Sequence, residues 1–369
     1  MNEIPREMAA AVLTGHGGFE KLTVHHDWPV PQPQAGELLI KVAACGVNNT
    51  DINTRIGWYS DAVEGDTTSG GASGFDSVDD DSVGGWGNSG IQFPRIQGAD
   101  VVGRVVALGK GVDESWLNKR VMSDPWLRDW SRPMARDYAG YIGSERDGGF
   151  ARYVALPTTN VGVVNSDWTD AELATLPCAY TTAENMLNRA RVSADDTILI
   201  TGASGGVGSA LVQLAKRRNA TTVALTTPAK ADAILALGAD AVIRRGVDDW
   251  VDVIRKLTGD EKVTVAADVV GAPTFGTILN VLARGGRYVT SGAIGGKKVG
   301  LDISHLYLND WELIGSTVTA LHVFPNLIRY VERNEIHPLL AKTYPLEEIH
   351  QAQTDFLRKE HIGKLVIIP

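Results

Sequence analysis

A glycine-rich segment, Thr201-Gly-Ala-Ser-Gly-Gly-Val-Gly208, follows an apolar run that starts at Thr197 and precedes a segment of helical periodicity that ends at Arg218. Glycines keep such a strand-to-helix turn tight, and the N–H groups at the start of the helix bind a pyrophosphate with help from the helix dipole. The flanking strand and helix favour a dinucleotide site over the alternative, a turn that binds nothing. The residues predicted to contact the cofactor in this turn are Ser204, Gly205, Gly206 and Val207.

The end of the next strand discriminates between the two nicotinamide cofactors. An NAD-binding chain usually carries Asp or Glu about 20 residues beyond the glycines, where it accepts a hydrogen bond from the ribose 2′-hydroxyl. Here the strand ends Leu225-Thr-Thr-Pro-Ala-Lys230, without a carboxylate. Hydroxyl and cationic side chains suit a 2′-phosphate instead, so we expect NADP(H). The candidates are Thr226, Thr227, Lys230 and Arg245, with Arg244 beside them. The alternative is that Lys230 is a solvated residue in the first turn of the next helix.

These residues require a parallel sheet to position them, and the apolar pattern predicts one. Strands and helices alternate from about residue 167 to residue 318, which is typical of a doubly wound α/β domain. The predicted strands are Thr197–Thr201, Thr221–Leu225, Ala241–Ile243, Val265–Val270 and Gly286–Ser291, and the predicted helices are Val207–Arg218 and Lys230–Leu237.

Residues 1–166 read as strands and turns without a helical period, which predicts a β-rich domain. Its predicted strands are Ala9–Leu13, Leu22–Val24, Glu37–Ala44, Val101–Leu108 and Ala151–Leu156. Residues 319–369, with apolar runs at Leu339–Tyr344 and Lys364–Ile368, are expected to return to this domain.

Residues 60–92 interrupt the first domain with a segment rich in Gly, Ser and Asp. Such a composition buries too little apolar surface to offset the entropy of ordering the chain, so we interpret it as a mobile surface loop. The alternatives are a lid over the active site and, less favoured, a divalent-cation site at Asp79-Asp-Asp81.

Composition restricts the function further. The chain has 369 residues and a formal charge of −9, with a pI of about 5.4, which disfavours nucleic-acid and anionic-membrane binding. It contains two cysteines, Cys45 and Cys178, and hence no disulfide framework, which fits a reducing cytoplasm. The N-terminus lacks the apolar core of a secretory signal, and no apolar run is long enough to cross a membrane.

The order and spacing of several motifs resemble the medium-chain dehydrogenase/reductase superfamily, and within it the zinc-free quinone oxidoreductase branch. The resemblance covers roughly Met8 to Pro369 outside the insertion, and it implies a GroES-like catalytic domain beside a Rossmann domain. It also implies that Met1–Glu7 is an extension. The matching segments are Met8–Leu13, Cys45–Asp51 with Arg55, Gly57 and Tyr59, Gly98–Gly103, Gly148–Tyr153, Ala203–Gly208, Asp268–Gly271 and Gly363–Val366.

The resemblance also implies that the catalytic zinc of other members is absent. Asn48 stands where the zinc pattern has a cysteine ligand, and Ala99 in Gly98-Ala-Asp100 stands where it has histidine. Cys178 lies near the third ligand position, but one thiolate cannot hold a tetrahedral site. A remnant site of Asp100 and Cys178 is the disfavoured alternative. Cys45 is expected to be a small core residue, and residues 121–149 lack the cysteines of a structural zinc lobe.

The same resemblance assigns roles to residues of the cleft. Asn48 and Tyr59 are the candidate donors to a substrate oxygen, with Asp51 and Arg55 as supports paired across one helical turn. Asn53 stands where related quinone reductases can carry tyrosine. Tryptophans 58, 126 and 130 are candidates for an aromatic wall, although Tyr59 and these tryptophans could equally serve packing. The remaining cofactor candidates are Thr182, Val270, Gly271, Ser291, Gly292, Ala293 and Lys364.

Together these features predict an NADPH-dependent oxidoreductase that transfers hydride to a quinone or an α,β-unsaturated carbonyl without zinc. The alternatives are a zinc-free alcohol or aldehyde dehydrogenase, and a non-enzymatic NADPH-binding structural or RNA-binding protein. The family resemblance implies a homodimer formed by joining two coenzyme-domain sheets edge to edge.

Overall fold

A computed structural model describes residues 4–75, 86 and 90–369. The described strands are β1 Glu7–Leu13, β2 Leu22–Pro29, β3 Glu37–Gly46, β4 Arg95–Ile96, β5 Asp100–Leu108, β6 Arg120–Ser123, β7 Trp126–Leu127, β8 Gly140–Tyr141, β9 Tyr153–Pro157, β10 Val161–Val163, β11 Thr197–Ile200, β12 Thr221–Thr226, β13 Ala241–Arg244, β14 Val263–Asp268, β15 Leu282–Thr290, β16 Glu312–Gly315, β17 Leu340–Pro345 and β18 Lys364–Ile368. The α-helices are α1 Asn49–Ile56, α2 Asp170–Leu173, α3 Pro177–Arg189, α4 Gly206–Arg217, α5 Ala231–Ala236, α6 Trp250–Thr258, α7 Ala272–Val281, α8 Ile303–Leu308, α9 Val323–Glu332 and α10 Ile349–Arg358.

The second half of the chain forms a parallel six-stranded sheet in the order β13-β12-β11-β14-β15-β16. The five apolar runs predicted as strands form β11 to β15, including the edge strand β13, whereas β16 was not predicted. The strand-to-strand connections pass through helices, as the alternating pattern predicts. The chain proceeds outward from β11 to β13 on one side and from β14 to β16 on the other. The glycine-rich turn follows β11 and therefore lies at the switch point, where open α/β sheets bind their ligands. The predicted α/β class is confirmed.

The first domain is built around β3, which is the central strand of a sheet in the order β10-β6-β5-β3-β18-β17, with β9 also paired to β3. The C-terminal strands β17 and β18 join this sheet. The register places Gly46 of β3 opposite Asp100 of β5 on one side and Val366 of β18 on the other. Residues from three distant parts of the chain therefore meet at the end of β3.

Helix α1 is absent from the predicted elements of the first domain, because most of its side chains are polar. Asp51, at the third position of the helix, caps its start. Its carboxylate accepts a hydrogen bond from the Asn48 backbone N–H at 2.7 Å. The helix ends at Gly57, whose φ of 71° is left-handed. Its polar residues are largely buried, because Asp51 and Arg55 hydrogen-bond to other groups of the protein and Asn53 lines the cleft.

Arg55 is fully buried and ties three segments together. Its guanidinium donates to Gln353 Oε1 at 2.9 Å, to the Gly17 carbonyl at 3.0 Å and to the Gly71 carbonyl at 2.6 Å. Burial lowers the pKa of Arg55 to about 10, which leaves it charged at neutral pH. The predicted pairing with Asp51 is wrong, because the donors of Arg55 are directed to these three acceptors.

Residues 60–75 of the insertion form surface turns that are anchored to the protein by a few buried residues. Val63 and Thr67 are buried, and the Trp58 indole donates to the Gly65 carbonyl at 3.0 Å. The Thr67 backbone N–H donates to the Ile294 carbonyl at 3.2 Å, which connects the insertion to the coenzyme domain. This arrangement favours the lid alternative. The proposed cation site at Asp79–Asp81 lies outside the described residues.

None of the helices in the described part of the chain is long and apolar enough to cross a membrane.

Candidate functional site

The glycine-rich turn has the geometry of a phosphate cradle. Gly202 adopts a φ of 57°, and a Cβ at Gly208 would lie 2.1 Å from the Gly202 carbonyl oxygen, so a side chain is excluded there. The residue before α4 is Gly205, which has no side chain to cap the helix. The first N–H groups of α4 therefore remain available to an anion, and this turn fits the pyrophosphate of a dinucleotide.

Lys230 lies beside this turn and is held in place by oxygen atoms. Its ammonium donates to the Lys359 carbonyl at 2.6 Å, to the His361 carbonyl at 2.9 Å and to Ser204 Oγ at 3.5 Å. The interpretation of Lys230 as a freely solvated residue is therefore wrong. Because the ammonium is held by neutral oxygens, it keeps its charge for an anionic ligand.

The other candidates for the 2′-phosphate divide into two groups. Thr226 is buried, and its hydroxyl has no hydrogen-bond partner among the described residues. The Arg245 backbone N–H donates to the Thr226 carbonyl at 2.7 Å, and Thr227 follows directly in the chain. Arg244, in contrast, pairs with Asp248 at 2.7 Å and is directed away.

Two basic residues that were not predicted from the sequence complete this region. The Lys359 amine lies 3.3 Å from Asn49 Oδ1. Burial, followed by repulsion from Lys230, lowers the pKa of Lys359 to about 7. Burial and the charges of Lys359 and Lys230 lower the pKa of His361 to about 4. Basic side chains thus lie together beside Lys230, and no local pattern in the C-terminal segment indicated this.

A cleft of about 450 Å³ lies between the two domains. Seven predicted site residues line it, namely Asn48, Tyr59, Thr182, Val207, Ser291, Gly292 and Ala293. The turn at Val270 and Gly271 lies next to this group, since Gly271 packs against Ala293. Its backbone N–H groups donate to the Asp268 carboxylate at 2.9 and 3.1 Å. Asp268 therefore shapes the turn, a role that the sequence analysis did not assign.

Aromatic side chains form one wall of the cleft. The ring of Tyr59 lies 5.6 Å from that of Trp58 and 5.2 Å from that of Trp86. Trp86, from the insertion, was not predicted, and Trp126 packs behind it at 5.3 Å. Trp130 is 50% exposed, so its predicted place in the wall is wrong. Burial raises the pKa of Tyr59 well above its ordinary value, and the hydroxyl remains a proton donor.

A buried ion pair lies behind the opposite wall. The Lys364 ammonium donates to Asp100 Oδ2 at 2.8 Å and to Asn48 Oδ1. The Asn48 amide nitrogen donates to Asp100 Oδ2 at 2.9 Å, and the Cys178 backbone N–H donates to Asp100 Oδ1 at 2.7 Å. In this arrangement the ammonium of Lys364 is directed away from the cofactor turn, and the amide of Asn48 is engaged with Asp100. Their proposed contacts to cofactor and substrate stay predictions.

These residues do not fit a zinc ion. Ala99 offers no ligand atom, and the Asn48 oxygen already accepts a hydrogen bond from the Lys364 ammonium. Burial, followed by the charge of Asp100, raises the pKa of Cys178 to about 12, so its thiol is protonated in this structure. Within the described ranges, no cluster of three His, Cys, Asp or Glu side chains is arranged for a metal ion. Cys45 is buried in the core, as predicted.

Comparison with known proteins agrees with this architecture. The family model for the alcohol dehydrogenase GroES-like domain matches residues 34–166, and the one for zinc-binding dehydrogenase matches residues 206–333. A solved Sinorhizobium meliloti 1021 protein, provisionally named an alcohol dehydrogenase, is 46% identical, with a TM-score of 0.90 and coverage of 100% of this chain and 98% of that one. An NAD-dependent alcohol dehydrogenase of Sulfurisphaera tokodaii is 26% identical over 93% of this chain and 95% of its own. The quinone oxidoreductase of Rattus norvegicus is 25% identical over 98% of each chain.

The lowered pKa of Lys359 predicts a pH effect on stability. A lysine that is neutral in the folded state and protonated in the unfolded state makes folding more favourable as pH rises from about 7 to about 10. Lys359→Met removes this titration and keeps the length of the side chain. We expect the difference in melting temperature, wild type minus variant, to increase between pH 7 and pH 9.5 in thermal unfolding without cofactor. Parallel curves for the two proteins would contradict the assignment.

Proposed function

Because the chain belongs to the medium-chain dehydrogenase/reductase superfamily, we propose that it is an NADPH-dependent reductase of quinones or α,β-unsaturated carbonyls that works without zinc. The observation that carries the proposal is the composition of the cleft. Tyr59, with its aromatic neighbours, and the loop Ser291–Ala293 line the same cleft, and the Lys364 ammonium donates to Asn48 Oδ1, at one of the zinc-ligand positions of the family.

The chain offers a complete set of contacts for NADPH, which supplies the hydride when bound. The open N-terminus of α4 suits the pyrophosphate. Thr226, Thr227, Lys230 and Arg245 are the candidates for the 2′-phosphate, and the turn at Val270 and Gly271 is the candidate for the adenosine ribose. Thr182, Ser291, Gly292 and Ala293 line the cleft where the nicotinamide would lie, next to the aromatic wall.

The cleft favours reduction of a flat, conjugated substrate. A cavity of about 450 Å³ accommodates a nicotinamide ring and a small substrate, and aromatic rings stack on conjugated systems. Negative charge develops on the substrate oxygen as hydride arrives, and the buried Tyr59 hydroxyl can donate to that oxygen. Alcohol oxidation, which the names of two relatives suggest as the second candidate, needs a base or a metal to remove the hydroxyl proton. A protonated Tyr59 provides neither.

The substrate class is tested by NADPH oxidation with 1,2-naphthoquinone, a small enone and an aldehyde. We expect turnover with the quinone or the enone, and a decrease of about 100-fold in kcat for Tyr59→Phe, the usual effect of removing one donor to a developing oxyanion. Tyr138→Phe, at an exposed tyrosine, is the matched control. Turnover of the aldehyde alone would refute the proposed function, and a Tyr59→Phe variant of normal kcat would refute the role of the hydroxyl.

The cofactor preference is tested at Lys230. Loss of a charge-assisted contact of about 1.4 to 2.7 kcal/mol corresponds to a 10- to 100-fold weaker Kd, so we expect Lys230→Met to weaken NADPH binding by this factor in a fluorescence titration. NADH lacks the 2′-phosphate, and its Kd should change by less than about threefold. Lys216→Met, at an exposed lysine, is the control. Equal losses for both cofactors would show that Lys230 does not select NADPH.

We also propose that two copies associate through β16. This strand is the outer strand of the parallel sheet, and in the described part of the chain it pairs with β15 alone. Leu313 in β16 is 40% exposed, and the adjacent helix α8 exposes Ile303 and Tyr307 at 64% each. An open strand edge beside exposed apolar side chains suits a second copy related by two-fold symmetry.

Light scattering after size exclusion tests this association. We expect twice the mass of the 39.5 kDa chain. Leu313→Lys should weaken the dimer at least about tenfold by placing a charge in an apolar contact. Val247→Lys changes an exposed apolar residue outside β16 and should leave the mass unchanged. A monomeric wild-type protein at micromolar concentration would refute the dimer.

A further inference from the structure

One face of helix α1 presents polar side chains to the cleft. Asn49, Thr50 and Asn53 share this face, because residues three and four positions apart are neighbours on a helix, and all three line the cleft. Asn53 is only 4% exposed. Its side-chain oxygen Oδ1 is buried and has no hydrogen-bond partner among the described residues. The cleft therefore contains a buried acceptor that the described part of the chain does not satisfy.

The Tyr59 hydroxyl determines which end of the Asn53 amide is directed into the cleft. Burial raises the pKa of Tyr59, and a side-chain hydrogen bond with Asn53 opposes this shift. A neighbour that lowers the pKa of a phenol by hydrogen bonding donates to its oxygen, so the amide nitrogen of Asn53 is directed at Tyr59. The amide oxygen is the other end of the same planar group, and it can accept from a ligand.

Tyr59 and Asn53 together offer a donor beside an acceptor. The Tyr59 oxygen accepts from the Asn53 amide nitrogen, so its own O–H can donate to a substrate carbonyl. Asn53 Oδ1 belongs to the amide that contacts this hydroxyl, so the acceptor lies next to the donor. A molecule that fits both carries a carbonyl oxygen and, on the adjacent carbon, an O–H group. An enone without that group leaves Oδ1 unpaired in a buried site, which is unfavourable.

Thr50 does not make the same selection. Its hydroxyl lies one turn before Asn53, is also buried and has no hydrogen-bond partner within the described ranges. A hydroxyl rotates and can either donate or accept, whereas an amide oxygen can only accept. Asn53 Oδ1 therefore discriminates between ligands that differ in a donor, and the Thr50 hydroxyl does not.

We infer that Asn53 is a specificity-determining residue that recognises an α-hydroxy ketone unit: Tyr59 donates to the carbonyl oxygen, and the hydroxyl on the adjacent carbon donates to Asn53 Oδ1. The substrates are accordingly enones that carry a hydroxyl on the saturated carbon next to the carbonyl, and their reduction rests on the proposed function. In that reduction the β-carbon gains hydride from NADPH, the α-carbon gains a proton from solvent, and the saturated hydroxy ketone and NADP⁺ leave. Binding of the α-hydroxy ketone unit does not depend on hydride transfer.

The kinetic test compares two enones of equal size, 1-hydroxyhex-3-en-2-one and hept-4-en-3-one, in which a hydroxyl replaces a methyl group. We expect wild-type kcat/KM to be about 10- to 100-fold higher for the hydroxy enone, because its analogue leaves a buried acceptor unpaired. Asn53→Leu keeps the size of the side chain without the acceptor and should decrease this ratio at least about tenfold. Thr50→Val, on the same helix face, is the matched control and should leave the ratio unchanged.

Three results of this comparison would overturn the inference. Wild-type protein could show equal kcat/KM for the two enones. The ratio could decrease in Thr50→Val and not in Asn53→Leu, which would assign the substrate hydroxyl to Thr50. The Kd of NADPH could increase tenfold in Asn53→Leu at an unchanged ratio, which would show that Oδ1 accepts from the carboxamide of the cofactor.

A binding measurement separates this inference from the proposed function. If neither enone is reduced, the proposed function fails, and the subsite is tested with the saturated ketones 1-hydroxyhexan-2-one and heptan-3-one. Each is titrated into NADP⁺-loaded protein and followed by the fluorescence of the tryptophans that line the cleft. We expect the hydroxy ketone to bind at least about tenfold more tightly in wild type and with an equal Kd in Asn53→Leu. Equal Kd values in wild type would contradict the inference.

Thermal unfolding distinguishes a ligand contact from a structural residue. Asn53→Leu removes a buried polar group whose oxygen is unpaired without ligand, so we expect a melting temperature equal to or above that of wild type in the absence of ligand. A decrease of more than about 5 °C at an unchanged substrate ratio would show that Asn53 serves the fold instead.

Discussion

The ion pair between Lys364 and Asp100 joins the parts of the chain that form the cleft. Asp100 begins β5, Lys364 begins β18, and β3 lies between these two strands. Gly46 permits the close approach, because a Cβ there would lie 2.3 Å from the Ala174 carbonyl and 2.8 Å from Asp100 Oδ2. The cleft wall depends on this contact, since the positions of Asn48 and of the start of α3 are fixed by hydrogen bonds to the same carboxylate.

Features with a local pattern could be predicted from the sequence. The glycine-rich turn and the strands β11 and β12 combine a continuous apolar run with a turn of restricted composition, and the structure confirms these elements. Helix α1 could not be predicted in this way. Its polar residues are buried against the site, and its start is fixed by Asp51 rather than by an apolar stripe. Periodicity identifies a helix that faces an apolar core, and α1 does not.

Contacts between residues far apart in the sequence could not be predicted from a local pattern. Lys364 and Asp100 are 264 residues apart, and only the pairing of β18 with β3 brings them together. The insertion shows the same limit. Its composition suggested a surface loop, but the groups that hold residues 60–75 lie elsewhere: Arg55 in α1, and Lys297, whose ammonium donates to the Trp58 and Ser60 carbonyls at 2.8 and 2.7 Å. The composition of a segment indicates how much apolar surface it can bury by itself. It does not indicate which hydrogen bonds residues elsewhere in the chain make to it.

The lysines of the site differ in the groups that accept hydrogen bonds from their ammonium, and this difference distinguishes a residue suited to bind the cofactor from one that is not. Lys230 donates to carbonyl oxygens, so its charge remains available to an anionic cofactor, whereas burial lowers the pKa of Lys359 to about 7. Lys364 is neutralised by Asp100, and the pair as a whole gives little net positive charge to the cleft. A neutral pair cannot stabilise an alkoxide as a zinc ion does. It is compatible with a reaction in which the substrate oxygen gains charge only as hydride arrives and a neutral Tyr59 hydroxyl donates to it.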